Sequence, residues 1–140
     1  MTQHAFPDIE MALVELLEPH GETRLRLDAG FEQRIDEGEA PAVIHAMTLG
    51  GYGGNQILRT DRARVGVYAA SRDGAHDLAM TIRAHLLDSP HVTEAGLLDL
   101  VTCETEPVQV PYPSDRVLLW QATFRVDTRP VPSIQEGTSA

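Results

Sequence analysis

Along "RARVGVYAA", Ala63, Val65, Val67 and Ala69 alternate with Arg64, Gly66, Tyr68 and Ala70, the period of a strand with two unlike faces. The same period returns in "RVLLWQATFRVDT", where Leu118, Trp120, Ala122, Phe124 and Val126 share one face and predict a central strand. "AVIHAMTL" reads as the partner of "RARVGVYAA" in an antiparallel hairpin, with the glycine-rich stretch 50–60 as an unusually long tip. "TRLRLD" sets Leu25 and Leu27 against Arg24 and Arg26, a short strand near an edge. "DLVTCETEPVQV" is a further strand interrupted by Pro107, which is tolerated at an edge or bulge but not in a central ladder.

Two stretches switch to the helical period. Ser71 stands ready to cap "RDGAHDLAMTIRAHLLD", with Asp73 near its start, Ala75, Leu78, Ala79, Ile82 and Leu86 on one face, and Asp88-Ser89-Pro90 at its end. "FPDIEMALVELLEP" puts Pro7 at a first helical position, acids Asp8 and Glu10 behind it, a stripe of Ile9, Leu13, Leu16 and Leu17, and a stop at Glu18-Pro19. The polar, glycine-bounded stretch 29–41 reads as a long loop anchored by Phe31 and Ile35. The elements run helix-strand-strand-strand-helix-strand-strand, which predicts an α+β fold: a mostly antiparallel sheet with two helices packed on one face. A single domain is expected over residues 1–129, followed by a flexible C-terminal tail at 130–140.

Charge narrows the class. The formal net charge of −10 should repel nucleic acid and anionic membrane, and all eleven basic residues are arginine. Cys103, the single cysteine, excludes an internal disulfide and a cysteine metal cluster, and its strand context suits a small core residue better than a nucleophile. No apolar run approaches membrane-spanning length and no signal peptide opens the chain, so a soluble, cytoplasmic product is expected.

The chemistry-bearing candidates each have a plainer reading. Gly50-Gly51-Tyr52-Gly53-Gly54 would cradle phosphate only if a helix opened straight after it; a strand follows, and the chain contains no lysine. A strand-linking loop is the better account. His76, Asp77 and Asp73 suggest acid/base or metal chemistry, but His76 and His85 lie nine apart on opposite faces of their helix and cannot share a metal. His45 lacks a local orienting partner. Glu104 and Glu106 alternate as if to share one strand face, which suits an acidic solvent or interface face better than a catalytic pair. Trp120 reads first as a core anchor. No catalytic, metal-binding or cofactor-binding residue is assigned and no cofactor is expected; the chain reads as a non-enzyme.

The stretch "PAVIHAMTLGG", then "DRARVGVYAASRDGAHDLAMTIRAHLL", and much later "RVLLWQATFRVDT" resembles the tail terminator proteins of long-tailed, siphovirus-like bacteriophages. The matching parts are Leu49-Gly50-Gly51, Asp61-Arg62 through Val65 and Val67, Ala75-Leu78-Ala79-Ile82-Arg83-Leu86, and Trp120 to Val126. The resemblance implies a virion protein at the head-proximal end of the tail, assembled in the host cytoplasm. It implies a homo-hexameric ring that ends polymerisation of the major tail tube protein and offers a surface to head completion and connector proteins. DNA would pass through the lumen without specific binding, and no membrane partner is implied. Arg24, Arg26, Arg62 and Arg64 are expected to meet carboxylates of a neighbouring subunit, arginine suiting bidentate pairs. Tyr52, Ile57, Leu58 and Arg59, on the hairpin tip, are expected against tube or ring and ordered only on assembly. A longer loop at 50–60 and the acidic "IDEGEAP" depart from the family's shorter forms. Two alternatives remain: a head-tail connector or stopper of the phage neck, and a small-molecule-binding regulatory domain.

Overall fold

The structure, a computed structural model, describes residues 4–54 and 57–132. The chain opens with β1 (His4–Ala5) and α1 (Ile9–Leu17), a 3-10 turn at Glu18–His20, and β2 (Glu22–Arg24). Then come α2 (Phe31–Asp36), the hairpin of β3 (Ala42–Gly54) and β4 (Arg59–Ala69), and α3 (Arg72–Leu87). The chain continues with β5 (His91–Thr93), β6 (Gly96–Val110), β7 (Leu118–Thr128) and β8 (Val131–Pro132). Six strands form one sheet in the order β2-β3-β4-β7-β6-β5, while β1 and β8 pair as a separate two-stranded sheet. Every pairing is antiparallel except β2 on β3.

The alternation read along β4 and β7 sets the layers. Ala63, Val65, Val67 and Ala69 stand beside Phe124, Ala122 and Trp120 on one face, and α1 and α3 lie across it. Ser71 caps α3 by accepting from Gly74 N at 3.1 Å, and Ala75, Ala79, Ile82 and Leu86 are buried on its inner face with Leu78 packed at the margin. Alanines on both helix and sheet let the backbones approach closely, so bulk is concentrated in Phe124, Ile82, Leu86 and Leu13, each almost wholly buried. In α1, Asp8 is the cap rather than Pro7 a helical residue: its carboxylate accepts from Met11 N, and Ile9, Ala12, Leu13 and Leu17 face the core.

The opposite face carries the expectations that fail. Stretch 29–41 is not a loop throughout, because Phe31 and Ile35 sit one helical turn apart and fold as α2 over Val43, Tyr68 and Leu119. The two expected helices, α1 and α3, do lie on one face, and α2 adds a third on the other. Arg34 fixes α2 by pairing with Glu22 on β2 and with Asp28. β2 stops at Arg24, so Leu25 and Leu27 do not share a strand face; Leu25 packs with the α1/α3 core and Leu27 with the α2 core. Three short strands, β5 and the β1–β8 pair, add to the expected order; β8 occupies residues assigned to the tail, and residues 133–140 lie outside the described ones.

The hairpin tip differs as well. β3 runs on through Gly50-Gly51-Tyr52-Gly53-Gly54, with Gly51, Gly53 and Gly54 opposite Asp61, Thr60 and Arg59. Register shifts on either side of Gly51 absorb the extra residues, and a Cβ at Gly51 would stand 3.1 Å from an Asp61 carboxylate oxygen. The glycines thus make a bulged strand, not a long loop. Within stretch 50–59, Gly51, Gly53, Gly54 and Arg59 stand in the ladder, and residues 55–56 lie outside the described ones.

The other expectations for strands stand: β7 is central between β4 and β6, β2 is an edge, and Pro107 falls at a register shift between Thr105 and Val108. β5 covers only Gly96–Leu98 of β6, leaving the rest of that strand at the edge of the sheet. Gly96 closes the β5–β6 turn at φ +136 with its α-carbon so near Pro7 that a Cβ would fall 2.6 Å from the ring.

Candidate functional site: an open sheet face

The face of the sheet opposite α1 and α3 is roofed by α2 at one end only. Rows of cross-strand neighbours define it: Val43, Tyr68, Leu119 and Val110 beneath α2; then His45, Gly66, Gln121 and Val108; then Met47, Arg64, Thr123 and Thr105; then Arg62, Arg125 and Thr102. The roofed row is closed by aromatic edges, Phe31 and Tyr112 each meeting Tyr68 at ring-centre distances of 4.9 and 5.1 Å. Beyond it the surface is charged and half-open, with Leu100 and Val108 exposed among the charges.

Most charges here have partners. Arg62 and Arg125 stand directly opposite one another, a repulsive placement relieved because Arg62 pairs with Glu104 at 2.6 Å and Arg125 with Asp127 at 3.3 Å. Asp127 also accepts from the Thr60 hydroxyl at 2.8 Å, both residues being buried. Arg24, exposed on β2, lies 3.4 Å from Glu22. Arg64, in the middle of the face, has no ion-pair partner among the described residues and is half-buried. Arg26 is exposed beyond the end of β2 and so stands apart from these rows.

The tip residues fall elsewhere. Arg59 pairs with the buried Asp61 at 2.9 Å and reaches over the Phe6 ring at 6.0 Å. Arg59, Asp61, Glu10, Thr48 and Gly50 line a cleft of about 220 Å³ against the start of α1, where Glu10 accepts from Thr48 N and its hydroxyl. Ile57 is 71% exposed, as expected, while Leu58 is half-buried; Tyr52 lies in β3 with its side chain outside the described residues. The structure thus gathers Arg24, Arg62 and Arg64 on one face and puts Arg59, Ile57 and Leu58 at the tip.

The catalytic candidates disperse. Glu104 and Glu106 do not share a face, because the register shift between Cys103 and Thr105 sends Glu104 to Arg62 and Glu106 to Arg83 of α3 at 2.6 Å. That guanidinium holds the Glu106 carboxyl below its usual range. Cys103 packs against the main core, and burial pushes its thiol up, away from the nucleophilic thiolate. His45 is satisfied by the Leu25 carbonyl at 3.2 Å, and His76 packs edge-on against Trp120. Trp120 is a core residue, as expected.

Three arrangements have no signal in the sequence. His20, His85 and His91 meet where the 3-10 turn, α3 and β5 converge: His20 Nε2 and His85 Nδ1 are 2.8 Å apart, and His91 bonds the Leu86 carbonyl. Burial and the neighbouring imidazoles push the His85 pKa down. Glu32 on α2 accepts from the Tyr112 and Ser114 hydroxyls, each at 2.7 Å, which lowers its pKa and, with burial, raises that of Tyr112. A groove of about 730 Å³ runs along Val110, Pro111, Tyr112, Pro113 and Leu119, but the Tyr112 hydroxyl is already engaged by Glu32. Among the described residues no group of three His, Cys, Asp or Glu side chains can hold a metal, and no helix is long and apolar enough to cross a membrane. No protein-family model matches the chain, and no curated protein matches it at a significant level of similarity.

Proposed function

We propose that this chain is a non-enzymatic virion subunit of the tail terminator kind, one of six in a ring seated on the head-proximal end of a tail tube. The order of its motifs supports the reading: Leu49-Gly50-Gly51, Asp61-Arg62 through Val67, the capped helix Ala75 to Leu86, and Trp120 to Val126. The single observation that carries it is the half-roofed sheet face, where Arg64, Leu100 and Val108 offer a protein neighbour charged and apolar contacts together. Such a ring ends tube growth by occupying the surface on which the next tube subunit would add. Its outer side is then free for head completion proteins. With a net charge of −10, the subunits hold DNA phosphates off the lumen instead of gripping them.

The test is deletion of the gene from the phage that carries it, followed by electron microscopy of the tails. Overlong tails lacking heads are expected. Tails of normal length that fail to join heads point instead to a neck connector or stopper, and normal infectious particles overturn both readings.

A further inference from the structure

We propose that the open sheet face around Arg64 seats a second copy of this chain, which enters with the acidic and apolar flank formed by α1 and β5. The inference deepens the ring reading and rests on it for the closure of the assembly. Arg64 projects between Met47 and Thr123 of the flanking strands, half-buried and with no carboxylate among the described residues to meet it. A guanidinium so placed has given up part of its hydration without an ionic partner. A bidentate carboxylate from outside would restore it. Around it the face holds four arginines (Arg24, Arg62, Arg64, Arg125) against three carboxylates (Glu22, Glu104, Asp127), on a chain whose net charge is −10. Beyond the α2 roof the face therefore carries one guanidinium more than carboxylates, on an acidic protein.

The complementary surface lies on the other side of the sheet. α1 and β5 carry no basic residue other than His91, which is buried. Their flank exposes Met11 (51%) and Val92 (83%), and a groove of about 250 Å³ runs between Met11, Val14, Glu15, Glu18, Glu94 and Ala95. Glu15 accepts from Glu94 N at 2.8 Å, which binds the two elements together, while the Glu18 and Glu94 carboxylates have no partner among the described residues. The other acidic stretch, Asp36 to Glu39, offers no exposed large apolar side chain, and Asp36 already leans toward Arg116 at 4.0 Å. Leu100 and Val108 on the seat and Met11 and Val92 on the flank make the fit apolar as well as ionic. Because seat and flank are different surfaces, each added copy presents a fresh seat, and the contact closes into a ring if the rotation per copy allows.

Sedimentation of the purified full chain tests this, with circular dichroism to show that each variant is folded. The wild type is expected to self-associate, less so as salt rises. Arg64→Glu, which spoils the seat, and Met11→Arg with Glu18→Arg, which spoils the flank, should each weaken association about tenfold or more, the scale for a charged interfacial contact. Mixed in equal amounts, Arg64→Gln, whose seat offers no carboxylate to the new arginines, and the flank variant should give a one-to-one dimer and nothing larger, since only one good seat meets one good flank. If Arg64→Glu fails to fold, Arg64→Gln decides by the same measure. A wild type that stays monomeric at every concentration, variants that associate like wild type, or a mixture that forms no dimer overturns the proposal. Head-to-tail assembly by a protein whose deletion leaves tails normal breaks the functional reading alone. Capping of tails by Arg64→Glu breaks this contact alone.

Discussion

The two faces of the sheet are made by the same strands and differ in what each asks of a side chain. On β4, Ala63, Val65, Val67 and Ala69 are shut under α1 and α3, while Arg62 and Arg64, one position over, look out onto a surface roofed only at its Tyr68 end. The covered face is uncharged along β3, β4 and β7 from Ala42 to Ala46, Ala63 to Ala69 and Trp120 to Val126. The open face is built of charges in opposed and mostly balanced pairs. Over Asp61 to Val65 of β4 and Trp120 to Val126 of β7, burial tracks sequence parity, and so should the consequence of substitution there: stability on one side, association on the other.

The largest break in that comparison comes from the covered face. Phe124→Ala should cost about 3–5 kcal/mol, because the ring is almost fully buried between sheet and helices and the cavity cannot collapse; chemical denaturation measures it. Next comes a buried polar pair on the open face, at the end far from α2. Asp127→Ala removes the acceptor of the Thr60 hydroxyl and the partner of Arg125, and should cost about 1–3 kcal/mol by the same measurement.

Titration separates the faces further. The His85 pKa is depressed, so the unfolded chain binds the proton more readily than the folded one. Stability from this group is full above the ordinary value of 6.5 and falls as pH drops below it. Thermal melts should show that loss, and His85→Asn should remove it. The α2 side responds at lower pH: Glu32 and Asp28 are held below their usual values, so their contribution is present above the ordinary carboxylate range and is lost beneath it. The smallest effect sharpens the contrast. Arg64→Gln should leave stability within about 0.5 kcal/mol, as for a surface position outside any network, while still weakening self-association.

What could be read from the sequence follows from range. Parity along β4 and β7 is local, as are the Ser71 cap and the 75-79-82-86 stripe, and the structure keeps all three. α2 escaped because two apolar residues in six give too little periodicity to outweigh its polar, glycine-bounded surroundings. Leu25 and Leu27 alternate like a strand but leave the ladder after Arg24, a choice made by packing against two different cores. The separation of Glu104 from Glu106 depends on a register shift, and the His20–His85 contact joins residues 65 apart. Neither leaves a mark on nearby sequence. Arg62 and Arg64 could be placed on one face; that only Arg62 of the two finds a carboxylate across the sheet depends on β6, forty residues later.

The outer edge of β6 has a consequence for how copies can meet. Beyond Leu98 that strand is shifted in register three times, interrupted by Pro107, and tethered at Val101 N by the Ser89 hydroxyl. Each device spoils the even row of donors and acceptors on which a foreign strand could template itself. Sideways growth into fibres is thereby discouraged at high local concentration, as when many copies crowd a site of construction. For the ring subunit proposed above, contacts that saturate serve better than an edge that never does.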